Sequence, residues 1–267
     1  MAARLEKQYK NNVGEIMKIF AKLTVSICFF AFTLSAGAQE EAPVLPVEMF
    51  ACNFAGTSDM GDLDRSFAEF NAWADDNGID DLTMFRLTPV FFSDEFEFDV
   101  LGLNIWPDGA AFARGNSAIA GDADALTAFE GVVDCAAHSL YALVGVKPPE
   151  SDVQDGGLFE FSNCSMKGNR SNDEGIAAVA AVSQLFGRWN INDAHAALFN
   201  LAGLPSDASY QFKWVTYYPS YESWGALFDG IIGDGAVPEI GALIDPVMQC
   251  DSSRIYSASV MRMAVGE

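Results

Sequence analysis

The feature that most constrains this chain is that it repeats itself. Phe50-Ala51-Cys52-Asn53 returns as Phe161-Ser162-Asn163-Cys164-Ser165 with a small slip. Trp106-Pro107 returns as Tyr218-Pro219, Phe112 as Trp224, and Gly121-Asp122 as Gly233-Asp234. These pairs, and Cys52 with Cys164, share an offset of 112 positions, while Val132, Cys135 and Tyr141 match Val247, Cys250 and Tyr256 at 115. Landmarks that keep both order and spacing mark two copies of one structural unit.

Each copy reads the same way. Val47 to Phe54 is a short apolar strand. A helix follows from about Asp62, with Leu63, Phe67 and Phe70 on one face and Asn77-Gly78 at its end. Leu82 to Phe92 and Glu95 to Trp106 read as strands joined near Ser93-Asp94, and Pro107 opens a second helix. His138 to Val146 is the last strand. The order β-α-β-β-α-β is the ferredoxin-like unit. The expected fold class is therefore α+β, with unit 1 over residues 47–146, a Pro/Gly/Asp-rich linker over 147–157, and unit 2 over 158–263.

The cysteines bear on this topology. In a ferredoxin-like sheet the last strand runs antiparallel beside the first. Cys52 ends strand 1 and Cys135 begins strand 4, and Cys164 and Cys250 do the same in unit 2. Of the three possible pairings of four cysteines, the repeat selects Cys52–Cys135 with Cys164–Cys250. A redox or metal site would need closer cysteine spacing or more histidines, so no metal site is expected.

Disulfides require an oxidising compartment, and the N-terminal segment supplies the route. Lys18 to Lys22 is basic, Leu23 to Leu34 is apolar, and Ser35-Ala36-Gly37-Ala38 has the small residues of a cleavage site. Residues 1–38 read as a secretory signal peptide with an over-extended start, the natural start being Met17. Residues 39–46 then form an N-terminal linker, and the expected location is periplasmic or secreted. The apolar run is short for a membrane span.

Charge narrows the partners. The chain carries 15 Lys or Arg against 37 Asp or Glu, a net charge of -22, and cleavage after Ala38 takes it to -25. Such a surface repels phosphate backbones and anionic lipids, which argues against nucleic acid and, after signal cleavage, against membranes. No acidic cluster has calcium-loop spacing, and no nucleotide or dinucleotide fingerprint occurs, so no cofactor is expected.

Two β-α-β-β-α-β units in tandem, each with Trp-Pro or Tyr-Pro where strand 3 meets helix 2, resemble the dimeric α/β-barrel superfamily in single-chain form. The resemblance spans residues 47–263 and is one of architecture. It implies two four-stranded sheets packed face to face with helices outside and a cavity between, a monomer with an internal pseudo-dimer. The superfamily includes cofactor-free monooxygenases, haem-degrading oxygenases, haem peroxidase-like enzymes and isomerases, and none of their catalytic motifs transfers to this sequence.

Strand alternation suggests where a ligand would sit. In strand 3 of unit 1, Leu101, Leu103 and Ile105 form an aliphatic set expected to face the helices. Phe98, Asn104 and Trp106 fall on the other parity, matched by Tyr210, Trp214, Thr216 and Tyr218 in unit 2. These aromatic and polar residues are the expected cavity lining. Arg86 on strand 2 is a candidate anion partner or catalytic group. His195, aligned with Thr83, is a candidate base or haem ligand if it turns into the cavity, although parity sends it toward the helices. His138 begins strand 4 near a disulfide. Three functions fit: a module binding a small apolar or aromatic molecule, an oxygenase-like or isomerase-like enzyme using the same cavity, and an interaction protein with a solid barrel.

Overall fold

The computed structural model describes residues 44–93, 98–150, 156–204 and 208–265. The expected signal peptide lies outside the described residues. The first repeat is built from β1 (Val44–Phe54), α1 (Met60–Asp76), β2 (Thr83–Phe91), β3 (Val100–Ile105), α2 (Gly109–Gly121) and β4 (Val133–Lys147). The second contains β5 (Leu158–Met166), α3 (Asn172–Phe186), β6 (Ala194–Ala202), β7 (Phe212–Tyr218), α4 (Tyr221–Phe228), α5 (Val237–Ile244), β8 (Met248–Cys250) and β9 (Arg254–Arg262).

Local chemistry sets the helix ends. Asp59, three residues earlier than expected, caps α1 through Gly61 and Asp62, and Asp62 returns a bond to the Asp59 backbone. This reciprocal arrangement satisfies donors that the first turn would otherwise leave open. Gly78, at φ 66°, then lets the chain leave α1 in the left-handed region. Ser171 and Glu174 form the same kind of cap on α3. The buried residues Leu63, Phe67, Phe70 and Ala74 give α1 one apolar stripe against the sheet.

Each repeat forms a four-stranded antiparallel sheet with its last strand beside its first, β4-β1-β3-β2 and β9-β5-β7-β6. Val47 pairs with Ile105 and Tyr141, and Phe159 pairs with Tyr217 and Tyr256. The repeat offsets of 112 and 115 are thus real registers for strands 1, 3 and 4. Strand 2 departs from them. Thr83 faces Ile105 while Ala194 faces Tyr217, an offset of 111, so His195 corresponds to Met84 rather than Thr83.

The two sheets do not merely lie face to face. β4 pairs with β6, and β2 pairs with β9, so the eight long strands close into one barrel. Short β8 extends the end of β5. Both expected disulfides are present: Cys52–Cys135 joins the end of β1 to the start of β4, and Cys164–Cys250 joins the end of β5 to β8, just before β9.

The barrel interior is filled. Met49, Leu101, Leu103, Phe159, Val215 and Tyr256 are among the buried side chains that pack there. An eight-stranded barrel leaves an interior about wide enough for its own side chains. This reverses the expected strand faces. The aliphatic set of β3 points inward, while Trp106 packs with the helical layer. In β7, Val215 and Tyr217 point inward, and Phe212, Trp214 and Tyr218 pack toward the helices. Alternation identifies which residues share a face. It does not say which face is which, and a narrow closed barrel accepts a branched aliphatic stripe as readily as a helix does.

Candidate functional site

A cavity lies on the other side of the wall, between the outer face of the first sheet and α1, α2 and a 3-10 helix at Ala123–Phe129. Its volume is about 530 Å³, within the range of small-molecule sites. Phe50, Phe67, Phe70 and Phe129 supply aromatic walls, and Leu63, Met84, Val100 and Ile119 supply aliphatic ones. Gly102 forms part of the sheet surface beneath it, and the Cys52–Cys135 bridge forms part of its rim.

A small polar group is set into this apolar surface. Glu48 is 4% exposed. Its Oε2 accepts a hydrogen bond from Trp106 Nε1 at 2.9 Å, and its Oε1 lies 3.0 Å from His138 Nε2. His138 is cross-strand from Phe50, so their rings stack at 4.1 Å with 18° between planes. The imidazole is half exposed and the carboxylate is not. The pair therefore links solvent to a buried carboxylate, the arrangement needed to move a proton in or out of the cavity. Asn104 and Asn116 add neutral hydrogen-bonding groups, and Glu130 stands exposed at the mouth. Trp106 is fully buried and held close to α2. A Cβ on Gly115 would come within 2.0 Å of its ring, so this helix position requires glycine.

The second repeat keeps half of this arrangement. Glu160 and Tyr218 occupy the positions of Glu48 and Trp106, with Tyr218 Oη donating to Glu160 Oε2 at 3.2 Å. The cavity itself is replaced by side chains. Trp214 stands where the first repeat has Gly102, and its indole packs among Leu158, Val179 and Phe212 neighbours in the helical layer. Ser162 replaces Phe50, and its hydroxyl bonds to Ser253 at 2.9 Å.

His195 belongs to this filled site. Its Nδ1 faces Trp214 Nε1 at 3.2 Å and Thr216 Oγ1 at 3.1 Å, and its Nε2 lies 2.6 Å from Asp193 Oδ2. Lys147 contacts the other Asp193 oxygen. Burial would raise the Asp193 pKa, but hydrogen bonds from His195 and Lys147 hold it below the ordinary carboxylate range. Both the His195 and Asp193 side chains have 0% exposure, so this is a closed internal network on the helix side.

The other expected residues scatter. Asn104 lines the cavity, and Trp106 positions Glu48 from behind. Trp214, Thr216 and Tyr218 belong to the filled site. Phe98 stacks on Tyr256 at 6.3 Å, and Tyr210 lies 4.5 Å from Lys213 Nζ, so these two are away from the cavity. Arg86 faces α1, pairing with Asp64 and donating to Ser259 Oγ at 3.1 Å. Glu48 was missed, though the sequence carries its signal: a lone acid in an apolar strand, repeated 112 positions later as Glu160.

The closed pairing of two ferredoxin-like sheets with helices outside is the dimeric α/β-barrel fold, here in a single chain. Among solved structures, a candidate monooxygenase from Lactobacillus acidophilus is similar, with TM-score 0.50 and 12% identity over 84% of this chain and 96% of that one. A variant of chlorite dismutase from Candidatus Nitrospira defluvii gives TM-score 0.48 and 9% identity over 83% and 93% of the two chains. A haem-binding protein from Thermus thermophilus gives 0.46 and 10% over 82% and 94%. No protein-family model and no curated protein matches the sequence.

Haem can be tested against the residues themselves. It would bring two carboxylates, and the cavity offers them Glu48 and Glu130 with no lining Lys or Arg among the described residues. The one histidine on the wall lies flat on Phe50 and directs Nε2 to Glu48. This cavity does not fit haem.

Proposed function

We propose that the chain is a secreted or periplasmic protein that binds a small apolar or aromatic molecule in the helix-side cavity of its first repeat. One observation carries this reading: a buried carboxylate, Glu48, opens onto a largely apolar cavity of about 530 Å³. Placing a carboxylate there is costly unless it is hydrogen-bonded, and the second repeat, which keeps the acid, fills the same space with Trp214. No described helix is long and apolar enough to cross a membrane, and two disulfides are compatible with an extracellular location.

The test uses the chain's own precedent. A Cβ on Gly102 meets Phe50 at 3.5 Å, an ordinary contact, so a larger side chain can grow into the cavity. Gly102→Trp should abolish binding of 1-naphthol, measured by equilibrium dialysis, while circular dichroism shows a folded protein. Equal binding by the variant would place the ligand elsewhere.

A second reading is favoured by the solvent link through His138. As a cofactor-free enzyme, the chain would use Glu48 as a base and pass the proton to His138. Wild-type protein should then speed deuterium uptake at the acidic carbon of 2-tetralone, followed by nuclear magnetic resonance, and Glu48→Gln should lose the effect. No acceleration would leave binding alone.

A further inference from the structure

The permanently charged side chains that line the cavity are both acidic. Glu48 is buried in its wall and Glu130 stands at its mouth, and no Lys or Arg lines it among the described residues. The partners of Glu48 are the N–H of Trp106 and the imidazole of His138, neither a permanent cation. The remaining walls include four phenylalanine rings, from Phe50, Phe67, Phe70 and Phe129. Ring faces attract cations through their quadrupoles, and a desolvated carboxylate does so through its charge. A molecule of net charge -22 adds a field of the same sign. Anionic ligands meet repulsion at every level, whereas a protonated amine gains at each.

We infer that this cavity selects apolar amines, with Glu48 as the specificity-determining carboxylate and the phenylalanines as the cage around the ammonium group. The inference rests on the binding role proposed above and names the class of ligand. It also accounts for the poor fit of haem, whose propionates carry the disfavoured charge.

Three isosteres separate the possibilities: 1-naphthylmethylamine, 1-naphthalenemethanol and 1-naphthoate. Titration calorimetry near physiological salt, about 0.15 M, screens attraction to the outer surface. The amine should bind at least about tenfold more tightly than the alcohol, and the carboxylate at least about tenfold more weakly than the alcohol. Glu48→Gln should shrink the gap between amine and alcohol to less than about threefold. Should that variant fail to fold, Glu130→Gln, at the exposed mouth, should narrow the gap in part.

Equal affinity for amine and alcohol, or tight binding of naphthoate, overturns the charge selection and leaves the cavity role standing. Amine binding that survives Gly102→Trp belongs to the acidic surface and also overturns it. A haemin Soret shift that Gly102→Trp removes does the same. If none of the three compounds binds wild-type protein, the cavity role itself fails.

Discussion

Two buried carboxylates show how differently one residue type can be used. Asp193 has a complete set of partners in Lys147 and His195 and no exposure. Replacing it with an amide takes away the buried charge that Lys147 and His195 contact and leaves Lys147 only the exposed Glu150, so Asp193→Asn should cost about 3 kcal/mol of stability in urea titrations. Glu48 keeps an open side toward the cavity, and Glu48→Gln should act mainly on ligand choice. Lys213 is a further charge, partly buried on β7. Burial and then the nearby Arg254 lower its ammonium pKa to about 7, against an opposing pull from Asp251. Tyr210 and Tyr141 face it with their rings, and Asn163 Oδ1 accepts its hydrogen bond at 2.7 Å. An unfolded lysine holds its proton to about pH 10.4. From about pH 7 to that value the unfolded chain therefore binds a proton that the folded chain has released, and stability rises with pH. Below about pH 7 both states are protonated and the contribution is flat. Wild-type protein should accordingly gain on Lys213→Met in urea midpoints between about pH 7 and about pH 9.5. Of these residues, Glu48 was legible only as half of a repeated Glu48 and Glu160 pair. The His195 network was hidden because Trp214 and Thr216 reach His195 only through the pairing of β6 with β7, and Lys147 joins it only across the β4–β6 seam.

At the level of elements, the sequence carried strand order, repeat registers and cysteine pairing, because each rests on periodicity or on matched spacing. It carried face membership without face direction. Trp106 and Leu103 have opposite parity, and which one meets a helix depends on barrel width, a property of all eight strands. Strand 2 shows a subtler limit. A single-residue change of offset moves every alignment in β6 to the opposite face, so aligning His195 with Thr83 misstated its relation to β2. The disulfides join cavity and sheet. Cys52 and Cys135 both line the cavity rim, so replacing both with serine should lower stability by about 2–5 kcal/mol and also weaken 1-naphthol binding. The matching change at Cys164 and Cys250, beside a filled site, should lower stability alone. Thermal melts and equilibrium dialysis of the two double variants separate these outcomes.

At the scale of the molecule, the two repeats have diverged around one substitution pair. With Gly102 the first repeat keeps an open space over its glutamate, and with Trp214 the second fills the corresponding space. The result is a barrel whose interior is filled by side chains and whose helix-side layer holds the Glu48 cavity in the first repeat. Closure of the barrel has another consequence. Every long strand is bonded on both sides, and the seams at β4–β6 and β2–β9 each join one repeat to the other. A chain severed between Lys147 and Leu158 would yield fragments each bearing two raw strand edges whose matching edges exist only on the other fragment. The halves would behave as a complementing pair, each the template on which the other completes itself.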